Sequence, residues 1–532
     1  MQERIKIGIM PHKIRYFLPS IADVFFFLSF VTLSLLAPTK LLLDCDTGYH
    51  IRIGEFILNT FSIPRYDIFS FIDPPPRWIA FEWLSEVIMA LVYKWGELTA
   101  VVIFFAFCIS LTYYFLFKIL QKDKFNIVIV AFITLLVIAA SSIHWLARPH
   151  ILSMLMLLAW YHILDLYQYK DKNYLYALPI LMLLWANLHG AFMIGLVLLG
   201  IYIAGNVAKF FFSPSPERDV HKSKIKALLL TLILSLIFSL INPNGYHTIL
   251  LPYELLSSKF IINHIGEFQS PNFHELDLLP FEILVLFTIL ILSVSRKKLN
   301  AIEILLTLFF MNIAFYSVRN IPLFAIVMAP ILARQSQQLL NEHHNKFTQF
   351  LIIRDMNISG IDSSAKGCLW IILPVIAVWA FLLFGFIEYH FDEKIKPVAA
   401  VEFLKKEQIQ GHMYNEYEFG DYVIYSASPQ YRVFIDGRAD MYGIERLKEY
   451  YRINKLNPDW EELLNKYQIN FIFFNTDTLF SKYLAERKDW SLIYSDKVAS
   501  IFVRNDAANA RIIRKYKHTK LFVPPNDEDN EM

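Results

Sequence analysis

With only three cysteines in 532 residues, the sequence excludes two architectures at once. Cys45, Cys108 and Cys368 lie far apart in the chain. That spacing fits neither a disulfide framework nor a cysteine-based metal motif. An excess of charge of one sign is missing too: 50 Lys and Arg face 48 Asp and Glu, a net charge of +2. Charge therefore gives no case for nucleic acid as a partner. There is no internal repeat, and no A-x-A cleavage site follows the first apolar run, which begins at Phe17 after the basic residues Arg4, Lys6, Lys13 and Arg15. The run is also longer than a signal-peptide core, so it is expected to stay as an uncleaved signal anchor.

What the sequence has is apolar surface. Hydrophobic residues make up 56% of the chain, and the mean hydropathy is +0.41. A compact soluble domain cannot bury that much. A bilayer removes the difficulty, since a span needs roughly 20 apolar residues. Apolar runs fall near 17–43, 97–119, 126–146, 150–168, 174–189, 190–212, 227–242, 279–295, 301–318, 320–340 and 367–389. The expectation is an α-helical polytopic membrane protein with about eleven transmembrane helices. The amphipathic stretch Trp83–Trp95 suits the interface or a further short span.

Basic residues set the orientation. Lys118, Lys122 and Lys124 share a side with the N-terminus, as do Lys170 and Lys172, Lys222 to Lys226, and Arg296 to Lys298. That side is expected to be cytoplasmic. The opposite side then carries a loop at 44–82, another at 243–278, and tight turns at 146–150, 187–190 and 318–322. Composition changes beyond residue 390. Helical stretches at Val398–Glu407 and Glu445–Tyr451 mix with β-rich runs at Tyr431–Ile435, Asn470–Phe474 and Ala499–Val503. The reading is a transmembrane domain over 1–390, a small extracytoplasmic α/β domain over 391–505, and a polar tail without structure over 506–532.

Residues with chemistry gather on the outer side. The first loop opens Asp44-Cys45-Asp46-Thr47-Gly48-Tyr49-His50. Two carboxylates two residues apart share a face if the backbone is extended. So placed they suit a divalent cation, or one acts as base while the other orients it. The competing reading is a membrane-edge turn in which Asp46 caps a helix over Thr47–Leu58. Glu82 and Glu86 lie one helical turn apart. The tight turns carry Arg148 and His150, Asn187 and His189, and Arg319. Each turn precedes a span whose start faces outward, where free N–H groups favour an anion. Arg148 and Arg319 would strengthen such a site, because guanidinium fits phosphate with two prongs. The alternative is an ion pair with a loop carboxylate such as Asp67. His264, Glu267 and His274 match no tight metal spacing. Asp436 and Arg438, in Phe434-Ile435-Asp436-Gly437-Arg438-Ala439-Asp440, read either as a ligand-binding strand edge or as a local structural pair.

Together these segments resemble a bacterial subgroup of the GT-C glycosyltransferase superfamily, which also holds protein O-mannosyltransferases and aminoarabinose transferases. The resemblance rests on Asp44, Asp46 and His50, on Ile63–Ser70, Glu82–Glu86, Ala147–His150, Trp185–Gly190, Asn242–Gly245 and Phe434–Gly443. It covers nearly the whole chain. Two positions depart from the pattern: Tyr49 stands where Trp is common, and Glu267-Phe268-Gln269-Ser270-Pro271 replaces an EW-SP segment.

The resemblance implies transfer of a sugar from a polyprenyl-phosphate donor to a glycan, lipid or protein acceptor outside a bacterial inner membrane. It implies Asp44, Asp46 and His50 as catalytic residues. Arg148, His150, Asn187, His189, Arg319, Glu82 and Glu267 would bind substrate. The one cofactor it admits is a divalent cation, Mg or Mn, on Asp44 and Asp46. A transporter or flippase of lipid-linked glycans is the main rival, and a non-catalytic envelope scaffold the next.

Overall fold

In the computed structural model, residues 17–365, 367 and 369–523 are described. The basic start of the chain, Cys368 and the acidic end therefore lie outside the described residues. The chain divides into two compact units. The first takes residues up to Leu41, Trp95–Pro252 and Ile262–Glu388; the second takes Leu42–Lys94, Tyr253–Ile261 and the residues from Tyr389 on. Residues 44–82, read from sequence as an outer loop of the helical domain, thus fall in the same unit as the residues from Tyr389 on.

The first unit is helical. Each of the eleven apolar runs contains a helix. Among the described residues, five helices are long and apolar enough to cross a membrane: Trp83–Lys122, Ile127–His144, His150–Lys170, Phe192–Phe212 and Leu276–Val294. The count becomes six if the bent pair Lys346–Ser364 and Leu369–Leu383 is one span. Ile21–Leu36, Ala177–Leu188 and Ala301–Tyr316 are shorter apolar helices. Local sequence marks several starts. Ser20 and Asp23 form a capping box, as do Asn300 and Glu303, and the Asn126 side chain accepts from Val128 and Ile129 N–H. Such caps satisfy donors that a helix start leaves over.

Charge inside this unit is paired. Arg334 lies 3.1 Å from Asp165 and 3.0 Å from Glu303. The Tyr202 hydroxyl donates to Asp165 at 3.4 Å. This network ties four helices, since buried charges persist only when paired.

The second unit holds a four-stranded sheet: β1 His412–Asn415, β2 Ile469–Asn475, β3 Trp490–Ser495 and β4 Ala499–Arg504, in the order β1-β2-β4-β3. β1 runs parallel to β2, and the other pairs are antiparallel. β2 is central and nearly all buried, as its run Ile-Asn-Phe-Ile-Phe-Phe-Asn demands. The helix Val398–Glu407 and the β-rich runs of β2 and β4 fall where the sequence placed them.

The run Tyr431–Ile435 does not become a strand. It makes one isolated bridge, Ser70 to Val433. Its backbone groups go instead to a side chain: Asn415 Oδ1 accepts from Phe434 N–H at 2.8 Å, and Asn415 Nδ2 donates to the Ile435 carbonyl at 2.8 Å. One buried amide replaces a ladder partner. After Asn505 the chain forms a short helix, Ala510–Lys515.

Candidate functional site

In the second unit a helix spans Asp46–Thr60. Its first turn is set by Asp44, whose Oδ1 accepts the Asp46 N–H at 2.8 Å. The backbone at Asp46 is therefore helical, and the extended arrangement expected for the two carboxylates is not adopted. The bend at Cys45 nevertheless leaves an oxygen of Asp44 and one of Asp46 within 4.8 Å of each other. That separation lets two hard oxygen donors share one divalent cation.

Asp421 completes this corner. It comes from the helix Tyr417–Ala427, which packs on the Asp46 helix so tightly that a Cβ on Gly48 would sit 2.5 Å from Tyr425 Cβ. Asp421 Oδ1 accepts the Gly437 N–H at 3.0 Å, and its carboxyl is hydrogen-bonded to Asp46. Burial pushes the Asp421 carboxyl well above the usual range, and nearby Asp436 adds to the rise. Two carboxyl groups in contact hold a proton between them. Sequence reasoning passed over Asp421. Its only signal was the run Glu416-Tyr417-Glu418-Phe419-Gly420-Asp421, where Gly420 lets a helix lie against Asp436.

Asp436 and Arg438 form the local pair that was the plainer of their two readings. Arg438 Nε reaches Asp436 Oδ1 at 2.8 Å and Nη2 reaches Oδ2 at 2.7 Å. Tyr442 also donates to Asp436 at 2.5 Å. Arg438 further meets Asp67 at 3.0 Å and lies 4.9 Å over the Trp78 ring. Burial raises the Asp67 carboxyl, but Arg438 and the Ser70 and Phe69 hydrogen bonds outweigh it and hold it low. Asp67 is thus the partner of Arg438, and Arg148 pairs elsewhere. Asp440 is pushed up to about 6 by burial, against the pull of Arg438.

His50 sits one turn beyond Asp46, buried, with Nδ1 3.2 Å from Glu86 Oε1 and Nε2 3.8 Å from Glu82 Oε2. Glu86 is a close partner that the expected site residues did not include.

The first unit brings together its own set. Arg148 and Arg319 both meet Glu267. Arg148 is hydrogen-bonded to it, and Arg319 Nη1 lies 3.7 Å from Oε2. Arg319 also stacks 4.8 Å over the Phe268 ring. Two strands of chain hold the pair in place: Ser317 Oγ donates to the Glu267 carbonyl at 2.7 Å and Val318 N–H to the Gln269 carbonyl at 3.0 Å. Burial would raise the Glu267 carboxyl, but Arg148 and then Arg319 hold it well below the usual range. Two guanidinium groups thus face this one carboxylate.

His189 caps the helix Ala177–Leu188, between it and the helix Phe192–Phe212. Its Nδ1 accepts the Ala191 N–H at 3.1 Å and lies 2.9 Å from Ser153 Oγ, which accepts from Trp185 Nε1 at 2.8 Å. Burial and then the arginines Arg319 and Arg148 lower His189 far below the usual histidine range. It is neutral at pH 7, with its proton on Nε2. His150 is turned inward: its Nε2 lies 2.9 Å from the His144 carbonyl and its ring 4.3 Å from that of His144. Asn187 donates to the carbonyls of Leu183 and Ile241, at 2.8 and 3.0 Å. Both make hydrogen bonds to the backbone.

No protein-family model matches this chain, and no curated protein does. Solved structures are similar to it. One is the archaeal oligosaccharyltransferase AglB from Archaeoglobus fulgidus in complex with an inhibitory peptide and a dolichol-phosphate. The likeness has a TM-score of 0.52 at 11% identity and covers 86% of this chain and 69% of that one. The oligosaccharyltransferase of the same organism in its apo form gives 0.54 at 12% identity, over 91% and 74%. Its complex with Zn and sulfate gives 0.53 at 13% identity, over 91% and 73%. At such identities the likeness is one of fold alone.

Proposed function

We propose that this chain is a multi-pass membrane glycosyltransferase. It moves a sugar from a polyprenyl-phosphate donor to an acceptor outside the bacterial cytoplasmic membrane. About eleven helices cross the bilayer in this reading, and the residues from 391 on stand on the outer side.

The observation that carries the reading is the arginine pair. Arg148 and Arg319 converge on Glu267, in a chain folded like an oligosaccharyltransferase. A lipid phosphate is the anion such a pair fits, its tail staying among apolar helices. A solved neighbour described with a dolichol-phosphate and a peptide supports a lipid-linked donor and an acceptor for this chain as well.

The reaction breaks the bond between the anomeric carbon and the phosphate oxygen, and the electron pair leaves with the phosphate. The acceptor hydroxyl oxygen forms the new bond to that carbon. Its proton passes to Asp44 or Asp46, acting as general base. The hydrogen bond between Asp421 and Asp46 holds the Asp46 side chain in place. Arg148 and Arg319 stabilise the departing phosphate, and neutral His189 is a hydrogen-bond donor through Nε2. Asp44 and Asp46 would hold a divalent cation, which when bound offsets negative charge on the phosphate. His50 acts from the neighbouring turn, through Glu82 and Glu86.

Asp46→Asn is the test. The protein should remain in the membrane at wild-type amounts while the sugar disappears from its envelope acceptor and the lipid-linked donor accumulates, both read by mass spectrometry. Full transfer in both Asp44→Asn and Asp46→Asn would remove the carboxylates from the reaction.

A further inference from the structure

Another cluster of ligand-type side chains sits wholly within the second unit. His50 projects from the helix Asp46–Thr60, and Glu82 and Glu86 lie at the start of the helix that begins at Trp83. One ligand atom of each lies within 4.8 Å of the others. The two helices approach at Gly54, where an added Cβ would overlap the Glu86 carbonyl. Beside the two glutamates is a cavity of about 40 Å³, lined among others by Trp78, Glu82, Glu86, Arg438 and Asp440. It has room for an ion and a water.

Two polar atoms in that wall lack a partner: Glu86 Oε2 and Arg438 Nη1. Both side chains are 2% exposed. A buried carboxylate oxygen left unpaired is costly, and an imidazolium at His50 would not cure it, since its Nδ1 already faces Oε1. The positive charge of Arg438 is balanced by Asp436 and Asp67. What the pocket lacks is a cation that accepts the second oxygen and carries a water to which Nη1 can donate.

We infer that His50, Glu82 and Glu86 form a divalent transition-metal site, separate from the Asp44–Asp46 pair. One imidazole nitrogen with two carboxylates suits Mn²⁺ or Zn²⁺ and disfavours Mg²⁺ and Ca²⁺, which take oxygen donors. The two glutamates match the ion's charge. The ion clamps the helix that carries Asp46 one turn earlier, so the three ligands are positioning residues for that carboxylate.

The site is tested on the full-length protein in detergent, stripped with EDTA and titrated with MnCl₂. Electron paramagnetic resonance reads free Mn²⁺, and melting is followed in parallel. Wild type should bind one Mn²⁺ that Asp44→Asn/Asp46→Asn keeps and that Glu82→Gln or Glu86→Gln loses. The same ion should raise the melting temperature of the Asp double variant, resist a large excess of Mg²⁺ and leave on adding Zn²⁺. If Glu86→Gln does not fold, the partly exposed Glu82 decides the matter. Equal Mn²⁺ binding in wild type and Glu82→Gln would overturn the site. So would loss of all bound Mn²⁺ in the Asp double variant, and that result would leave the proposed transfer reaction standing.

Discussion

Arg148 and Arg319 share one carboxylate, and a guanidinium can grip a phosphate with two prongs. A lysine keeps the charge but not the fork. Arg319→Lys should therefore raise KM for the lipid-linked donor by about tenfold, near 1.4 kcal/mol, with kcat changed less. Steady-state kinetics with donor varied would check this. Glu416 gives a prediction in pH. Its carboxyl is raised from 4.5 to about 7 by burial, despite accepting the Asn475 N–H. Between those values the folded chain keeps a proton that the unfolded chain has released. This contribution to stability is full below 4.5 and is lost as pH rises toward 7. Glu416→Gln keeps the acceptor and removes the titration. Its melting temperature should exceed that of wild type at pH 7 by a few degrees, and the two should converge near pH 4.5.

Close approaches and substituted ladders decide whether the elements hold. Gly54→Ala puts a methyl into the Glu86 carbonyl and should cost about 1–3 kcal/mol, read as a lower melting temperature. Asn415→Leu strands the Phe434 N–H and the Ile435 carbonyl, so a loss of about 2–4 kcal/mol is expected in chemical denaturation. These cases also show what could be read in advance. The eleven apolar runs and the helix Val398–Glu407 were legible because hydropathy and periodicity are local signals. Asp44, Asp46, Arg148 and Arg319 stood out as charges set beside apolar spans. Tyr431–Ile435 misled because its β-type composition is satisfied by one amide 19 residues away. Asp421 and Glu86 were missed as partners because their chemistry arises from burial against segments distant in sequence.

On the scale of the molecule, the proposed reaction draws on side chains from both units. The helical unit carries guanidinium groups and a neutral histidine, and the mixed unit carries paired carboxyl groups around a glycine turn. A transporter of lipid-linked glycans would share the membrane fold and use the same arginines for phosphate, so neither feature separates the two activities. The carboxyl corner does, because translocation forms no bond and needs no base. The most direct measurement puts the purified protein into vesicles with a cell lipid extract containing polyprenyl-phosphate sugars and an envelope acceptor fraction. Mass spectrometry then follows the sugar. The account predicts a new glycoside and freed polyprenyl phosphate with wild type, and neither with Asp46→Asn. Lipid-linked sugar that changes leaflet with its bond intact, equally in both proteins, would contradict it.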